Sequence, residues 1–172
     1  MNINSKWIWV DNAPSADTYG ELKIHATTGD VTVPKYFSFA SADVKVTTGD
    51  VAFSADVADD LAVKVTTGDV KLSGVTCRNL IANGTTGDIK LRQVIAAETF
   101  SIKCTTGDVS FDACDAASLS VKTTTGDITG TLLTSKVFDA HATTGRVKVP
   151  QATEGGHCKL RTTTGHIKIS LK

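Results

Sequence analysis

The sequence predicts an all-β fold, a single-domain parallel β-solenoid of about eight coils, and three observations predict it. The tetrapeptide Thr-Thr-Gly-Asp, or a variant differing at one position, recurs with its glycines at Gly29, Gly49, Gly68, Gly87, Gly107, Gly126, Gly145 and Gly165. Successive intervals are 20, 19, 19, 20, 19, 19 and 20 residues, so one supersecondary unit is stacked on copies of itself. Apolar and polar residues alternate with period two around each glycine, the mark of strands with one buried face. Finally, no window sustains a 3.6-residue rhythm, and β-branched residues dominate the periodic segments, so helices are not expected.

The elements follow in chain order. Residues 1–20 lack the motif, and Trp7, Trp9 and Tyr19 beside Pro14 suggest a cap, because an exposed sheet end invites aggregation. Residues 21–172 form the solenoid. Seven residues before each glycine stand Leu22, Ala42, Leu61, Leu80, Phe100, Leu119, Phe138 and Cys158. Five before stand Ile24, Val44, Val63, Ala82, Ile102, Val121, Ala140 and Leu160. These two columns give a strand of about six residues. After the glycine corner, Val31, Val51, Val70, Ile89, Val109, Ile128, Val147 and Ile167 begin a second strand. Val33, Phe53, Leu72, Leu91, Phe111, Gly130, Val149 and Ile169 continue it, with Gly130 and, elsewhere, Gly84 as thin spots. A looser return passes a polar corner near Asp60, Asn79, Thr99 and Ser118, and the apolar set Val75, Val94, Cys114 and Leu133 suggests a short third strand.

Other repeat folds fit less well. A β-propeller blade needs about 40–45 residues, twice this period, and the leucine-rich consensus is absent. Parallel coils about 4.8 Å apart would make a rod roughly 35–40 Å long, wound right-handed by default.

At 172 residues the chain can bury a continuous core, and 41% apolar with 21% charged residues is ordinary for a folded domain. Eighteen basic residues balance eighteen acidic ones, so bulk charge gives no reason to expect nucleic acid or an anionic membrane as partner. No stretch approaches the roughly 20 apolar residues of a membrane-crossing helix, and the apolar part of residues 1–10 is too short for a signal peptide. Cys77, Cys104, Cys114 and Cys158 form no C-x-x-C pair and share no register between neighbouring coils, so free buried thiols are expected.

The corner column Gly29-Asp30, Gly49-Asp50, Gly68-Asp69, Gly87-Asp88, Gly107-Asp108 and Gly126-Asp127 reads as a structural turn ladder. Glycine supplies positive φ, the aspartates accept hydrogen bonds from turn amides, and the threonine before each glycine can link one coil to the next. Calcium is the competing use, since carboxylates about 4.8 Å apart repel without a cation between them. Against it, the last two copies carry Arg146 and His166. Ice binding is suggested by the second ladder, Thr27, Thr47, Thr66, Thr85, Thr105, Thr124, Thr143 and Thr163. The neighbouring outward column breaks such a lattice: it reads His25, Lys45, Lys64, Asn83, Lys103, Lys122, His141 and Arg161. No serine elbow, metal-spaced cluster or phosphate-cradling loop is visible, and His25 and His141 stand six coils apart in sequence order. No cofactor, metal site or catalytic residue is therefore expected.

The run V-K-V-T-T-G-D-V-K-L from Val63 to Leu72, with the closing Gly165-His166-Ile167-Lys168-Ile169, resembles a bacterial adhesin-like repeat family. Many members of that family are classed as domains of unknown function. The resemblance covers residues 20–172 and implies a β-solenoid, frequently attached to the cell envelope. It carries no catalytic residue across. The expected function is a non-enzymatic structural or interaction module meeting protein or carbohydrate at the envelope, with Lys45, Lys64, Lys103, Lys122 and Arg161 as candidate interaction face. The alternative is a carbohydrate-active or calcium-binding β-helix, in which the aspartate ladder would do the work.

Overall fold

The structure, a computed structural model, describes residues 7–9 and 18–172. Strands and the turns between them account for these residues, with no helix among them. Every strand pairing is parallel, and in the repeats like residues stand beside like: Lys45 pairs with Lys64, Val51 with Val70, Thr67 with Thr86. The fold is the predicted parallel β-solenoid, one coil per copy of the motif. Coils are numbered here one to eight by their corner glycines in sequence order, from Gly29 to Gly165.

Each full coil has two long sides and a short one. The strand before the corner, such as Asp60–Thr67, belongs to one sheet, and the strand after it, such as Val70–Ser73, belongs to another. The side chains facing inward from both are the predicted columns, and Ile24, Val44, Val63, Leu80, Val109 and Leu160 are all fully buried. The short side is made by Asp56–Val57 in the second coil, and by the pairs Thr76–Ile95 and Cys77–Ala96 in the coils that follow. Its buried column runs through Val75, Val94 and Cys114 to Leu132. Leu133, the residue expected there, is 43% exposed instead. The cause is a register shift between Phe111 and Cys114, where the sixth coil has one residue fewer. In the fifth coil that extra residue is Ala113, held at φ 52°, and its N–H turns to Thr131 Oγ1 at 2.9 Å.

Gly130 is not a thin spot. A Cβ there would lie 2.6 Å from the Phe111 ring, so the neighbouring phenyl already fills the volume. All four cysteines are free and buried. Desolvation drives the Cys77 and Cys158 thiols up to about 12 and Cys114 to about 11, which makes them small apolar packing groups rather than nucleophiles.

At the start of the stack, Trp7–Trp9 runs parallel to the first coil, in register with Asp30 to Thr32. Tyr19 opens the first long strand, Tyr19–Thr28, and its ring lies 5.9 Å from those of Phe37 and Phe39. The rest of the expected cap, Pro14 included, lies outside the described residues.

The other end departs from the sequence order. Ser118 to Lys122 of the sixth coil pair with His157 to Arg161 of the eighth, and Val137 to His141 of the seventh pair with the same strand from its other side. The second sheet repeats this, with Ile128 and Val147 both beside Ile167. In space the coils therefore run one to six, then eight, then seven. The chain steps over one slot, builds the outermost coil, and returns to fill the gap.

One side chain crosses the inserted coil. Lys136 of the seventh coil is only 4% exposed, and its Nζ lies 2.6 Å from Asp115 Oδ1, on the short side that leads into the sixth coil. It passes Gly156, where an added Cβ would come within 3.4 Å of the Lys136 stem and 2.1 Å of the Ala117 carbonyl oxygen. Glycine at 156 is what lets the outer coil reach through.

Candidate functional site

Two ladders run along the stack, and the corner ladder is the better defined. Gly29 N–H donates to the Thr48 carbonyl at 2.9 Å, and the same link recurs from Gly49 to Thr67 and from Gly68 to Thr86. The threonines thus join coils through their backbone carbonyls. Each aspartate closes a second link. Asp50 N–H donates to Asp30 Oδ1 at 2.8 Å, Asp69 to Asp50 at 2.8 Å, and Asp88 to Asp69 at 2.9 Å. Asp108 N–H donates to Asp88 at 3.0 Å and Asp127 to Asp108 at 2.8 Å. The repulsion expected between stacked carboxylates is offset by one charge-assisted amide bond per step.

The two deviant copies obey the same rule once the spatial order is used. His166 N–H donates to Asp127 Oδ1 at 2.7 Å, and His166 Nδ1 accepts Arg146 N–H at 2.9 Å. Histidine replaces aspartate as acceptor for the next coil. Arg146 belongs to the outermost coil, which has no further amide to receive, so no acceptor is needed there. Among the described residues no group of three or more His, Cys, Asp or Glu is placed to hold a metal ion.

The ladder has a pH consequence. The Asp108 amide first, and the Lys90 ammonium at 3.0 Å second, hold the Asp88 carboxyl below its ordinary value. The folded state therefore favours the ionised form more than the unfolded chain does. That contribution is complete above about pH 4 and is lost as pH falls further, through the lowered folded value. Asn at position 88 keeps an amide oxygen for Asp108 N–H and cannot titrate. Thermal melts followed by circular dichroism between about pH 5 and 2 should show a shallower acid loss in Asp88→Asn than in the parent. Equal slopes would remove Asp88 from the acid response.

The second ladder is the outward column four residues before each glycine. The structure aligns it as His25, Lys45, Lys64, Asn83, Lys103, Lys122, Arg161 and His141, in that spatial order. His25 and His141 are consequently seven steps apart, not six, at opposite ends. All five predicted basic residues share one sheet face. Lys45 is held by Asp43 at 2.7 Å, and Arg161 by Asp139 through Nη2 at 2.6 Å. Lys64, Lys103 and Lys122 have no ion pair among the described residues.

Charge along the rod is segregated, which the bulk balance hides. From Ser118 onward there are eight basic residues against three acidic ones, a net of +5, leaving −5 on the rest. The inserted coil concentrates this further. It puts Arg161 directly beside Lys122 and Lys159 beside Ser120, two residues back along the same strand, with Lys103 one row below Lys122. A shallow depression of about 490 Å³ opens over these side chains, edged by Ser120, Thr143 and Thr163. In simple sequence order His141 would have separated Lys122 from Arg161. Sequence reasoning found the column but missed the patch; splitting the charge count by position would have shown half of it.

A family model described as Toastrack DUF4097 matches residues 54–172. This is the β-solenoid, domain-of-unknown-function kind that the repeat motif resembles. No curated protein and no solved structure matches the chain. Among the described residues no helix is long and apolar enough to cross a membrane.

Proposed function

The chain belongs to the Toastrack DUF4097 family, and from that premise we propose that it is a non-enzymatic interaction module, an adhesin-like domain of the bacterial cell envelope that presents ladders of identical side chains on a rigid support. The β-solenoid family and fold support the coarser half of this reading, a structural or interaction module. The observation that carries the rest is the basic column: five cations held in register on one exposed face, on strands whose inward residues are fully packed. Rigidity matters because the backbone that spaces the charges has little freedom left to lose on binding, so only the side-chain rotamers are to be ordered. In the aspartate ladder, the feature a glycosidase or a calcium site would have to use, one oxygen of each of Asp50, Asp69 and Asp88 is already committed to a backbone amide.

Beads coated with the chain should adhere to isolated bacterial envelopes, and the quadruple replacement of Lys45, Lys64, Lys103 and Lys122 by Ser should release most of them. A polysaccharide panel incubated with the soluble chain should yield no new reducing ends. Reducing ends that disappear in Asp69→Asn or Asp88→Asn would overturn the non-enzymatic reading. Adhesion unchanged in the quadruple variant would overturn the assignment of the face.

A further inference from the structure

We infer that the face formed by Lys103, Lys122, Lys159 and Arg161 binds a linear acidic polysaccharide, laid along the stacking axis. This deepens the interaction-module reading by naming the partner's chemistry, and it rests on that reading.

The charge is the first argument. Lys103, Lys122 and Lys159 are exposed and carry no ion pair among the described residues. Arg161 is anchored by Asp139, whose carbonyl also accepts from Nη1 at 3.1 Å. Among the described residues that carboxylate is the sole acid paired with a cation of the patch. The surrounding coils carry the +5 excess of the chain from Ser118 onward, so an approaching polyanion meets a field of one sign. Such a surface needs a counter-charge.

The geometry selects the kind of polyanion. Lys103, Lys122 and Arg161 occupy consecutive rows of a parallel sheet, hence one cation about every 4.8 Å along the axis. A polymer with one carboxylate per sugar, lying along the stack, meets a new cation with nearly every unit. The exposed threonines two residues further on, Thr105, Thr124 and Thr163, run beside the cations as a row of hydroxyls suited to sugar hydroxyls. Nucleic acid fits less well, because the chain beyond Phe111 has one aromatic residue, Phe138, and its ring packs against the core rather than offering a stacking platform. An anionic membrane fits less well too. The exposed large apolar side chains of the last coils, Leu133, Val147 and Leu171, lie off the strands that carry the cations, and Ile81, on the same sheet face beside Ser101, is a single side chain, too little to anchor in the acyl region.

The test uses the whole chain and polygalacturonate, with neutral dextran as the uncharged control, phosphatidylglycerol vesicles and single-stranded DNA as rival anions, and interferometry as readout. Polygalacturonate should bind more tightly than either rival at equal charge concentration, and dextran should not bind. The triple Lys103→Ser, Lys122→Ser, Lys159→Ser should weaken it by about tenfold or more. The triple Lys23→Ser, Lys35→Ser, Lys71→Ser makes the same charge change on the earlier coils and should weaken it less than about threefold. Should the first triple lose its circular-dichroism melt, Lys122→Glu alone gives the same comparison. Equal losses in the two triples, dextran binding, or tighter binding of vesicles or DNA would each overturn the proposal. Envelope adhesion without polygalacturonate binding would sink this inference and leave the interaction module standing, whereas reducing-end release would sink the module itself.

Discussion

Replacing Gly87 by alanine is expected to abolish the folded state. The corner glycines lie one above another so closely that a Cβ on Gly87 would sit 2.1 Å from the Gly68 carbonyl oxygen and 2.6 Å from its carbon. The obstacle is backbone, held on both sides by the ladder, and cannot swing away. Gly87 also has φ +126°, a conformation that by itself costs other residues about 1–3 kcal/mol. Strain and overlap together should exceed about 4–5 kcal/mol, a large share of a domain's usual stability of about 5–15 kcal/mol. The control lies three residues away. At Gly84 the nearest atom to an added Cβ is Ile89 Cδ1 at 3.4 Å, and φ is ordinary. Gly84→Ala should stay within about 1 kcal/mol of the parent. Urea titrations followed by circular dichroism read both, with soluble yield as a second measure for Gly87→Ala. A cooperative transition for Gly87→Ala near the parental midpoint would show that the glycine column is not in tight contact.

The second large effect is expected at Lys136. Lys136→Met removes the cation that faces Asp115 while leaving the carboxylate, whose side chain is 14% exposed, with the Ala116 amide as its remaining partner. Breaking a buried pair from one side costs about 3–5 kcal/mol, most of it the penalty of an uncompensated charge. The double variant Lys136→Met, Asp115→Leu removes both charges and should recover much of the loss, since apolar replacements of a buried pair are often close to neutral. A double variant no more stable than the single one would mean that the lysine stem, rather than the charge pair, carries the stability. Because Lys136 spans the inserted coil, the single variant should also raise hydrogen exchange in Gly156–Thr164 more than in Asp60–Thr67.

The strands, the inward columns and the glycine corners were legible in the sequence because periodicity states which residues stack, and on the two long sides the ladder pairings join residues of matching register. The order of the coils was not legible for the same reason. Copies of one motif fit one another's slots almost equally well, so Val121 can pack beside Leu160 as readily as beside Ala140. Breaks in the repetition were the information. Arg146 in the aspartate column marks the coil that receives no further amide, and it falls in the seventh copy rather than the eighth. Gly156, outside the motif, marks where a side chain passes through. The misplacement of Leu133 by one position comes from a bulge that a fixed period cannot register. The basic column was found because it repeats; the cationic patch was not, because it is assembled by the reordering.

That reordering bears on how the molecule would yield to tension. An ordinary stack can be peeled from its last turn, one ladder at a time, like tape from a roll. Here the tail, Gly156–Leu171, is flanked on both sides, by Ser118–Lys122 and Ile128–Leu132 below and by Lys136–Thr144 above. Dragging on Lys172 must shear two seams at once and slide a wedge out from between its neighbours, so this last stretch of the rod is gripped as an interior coil is.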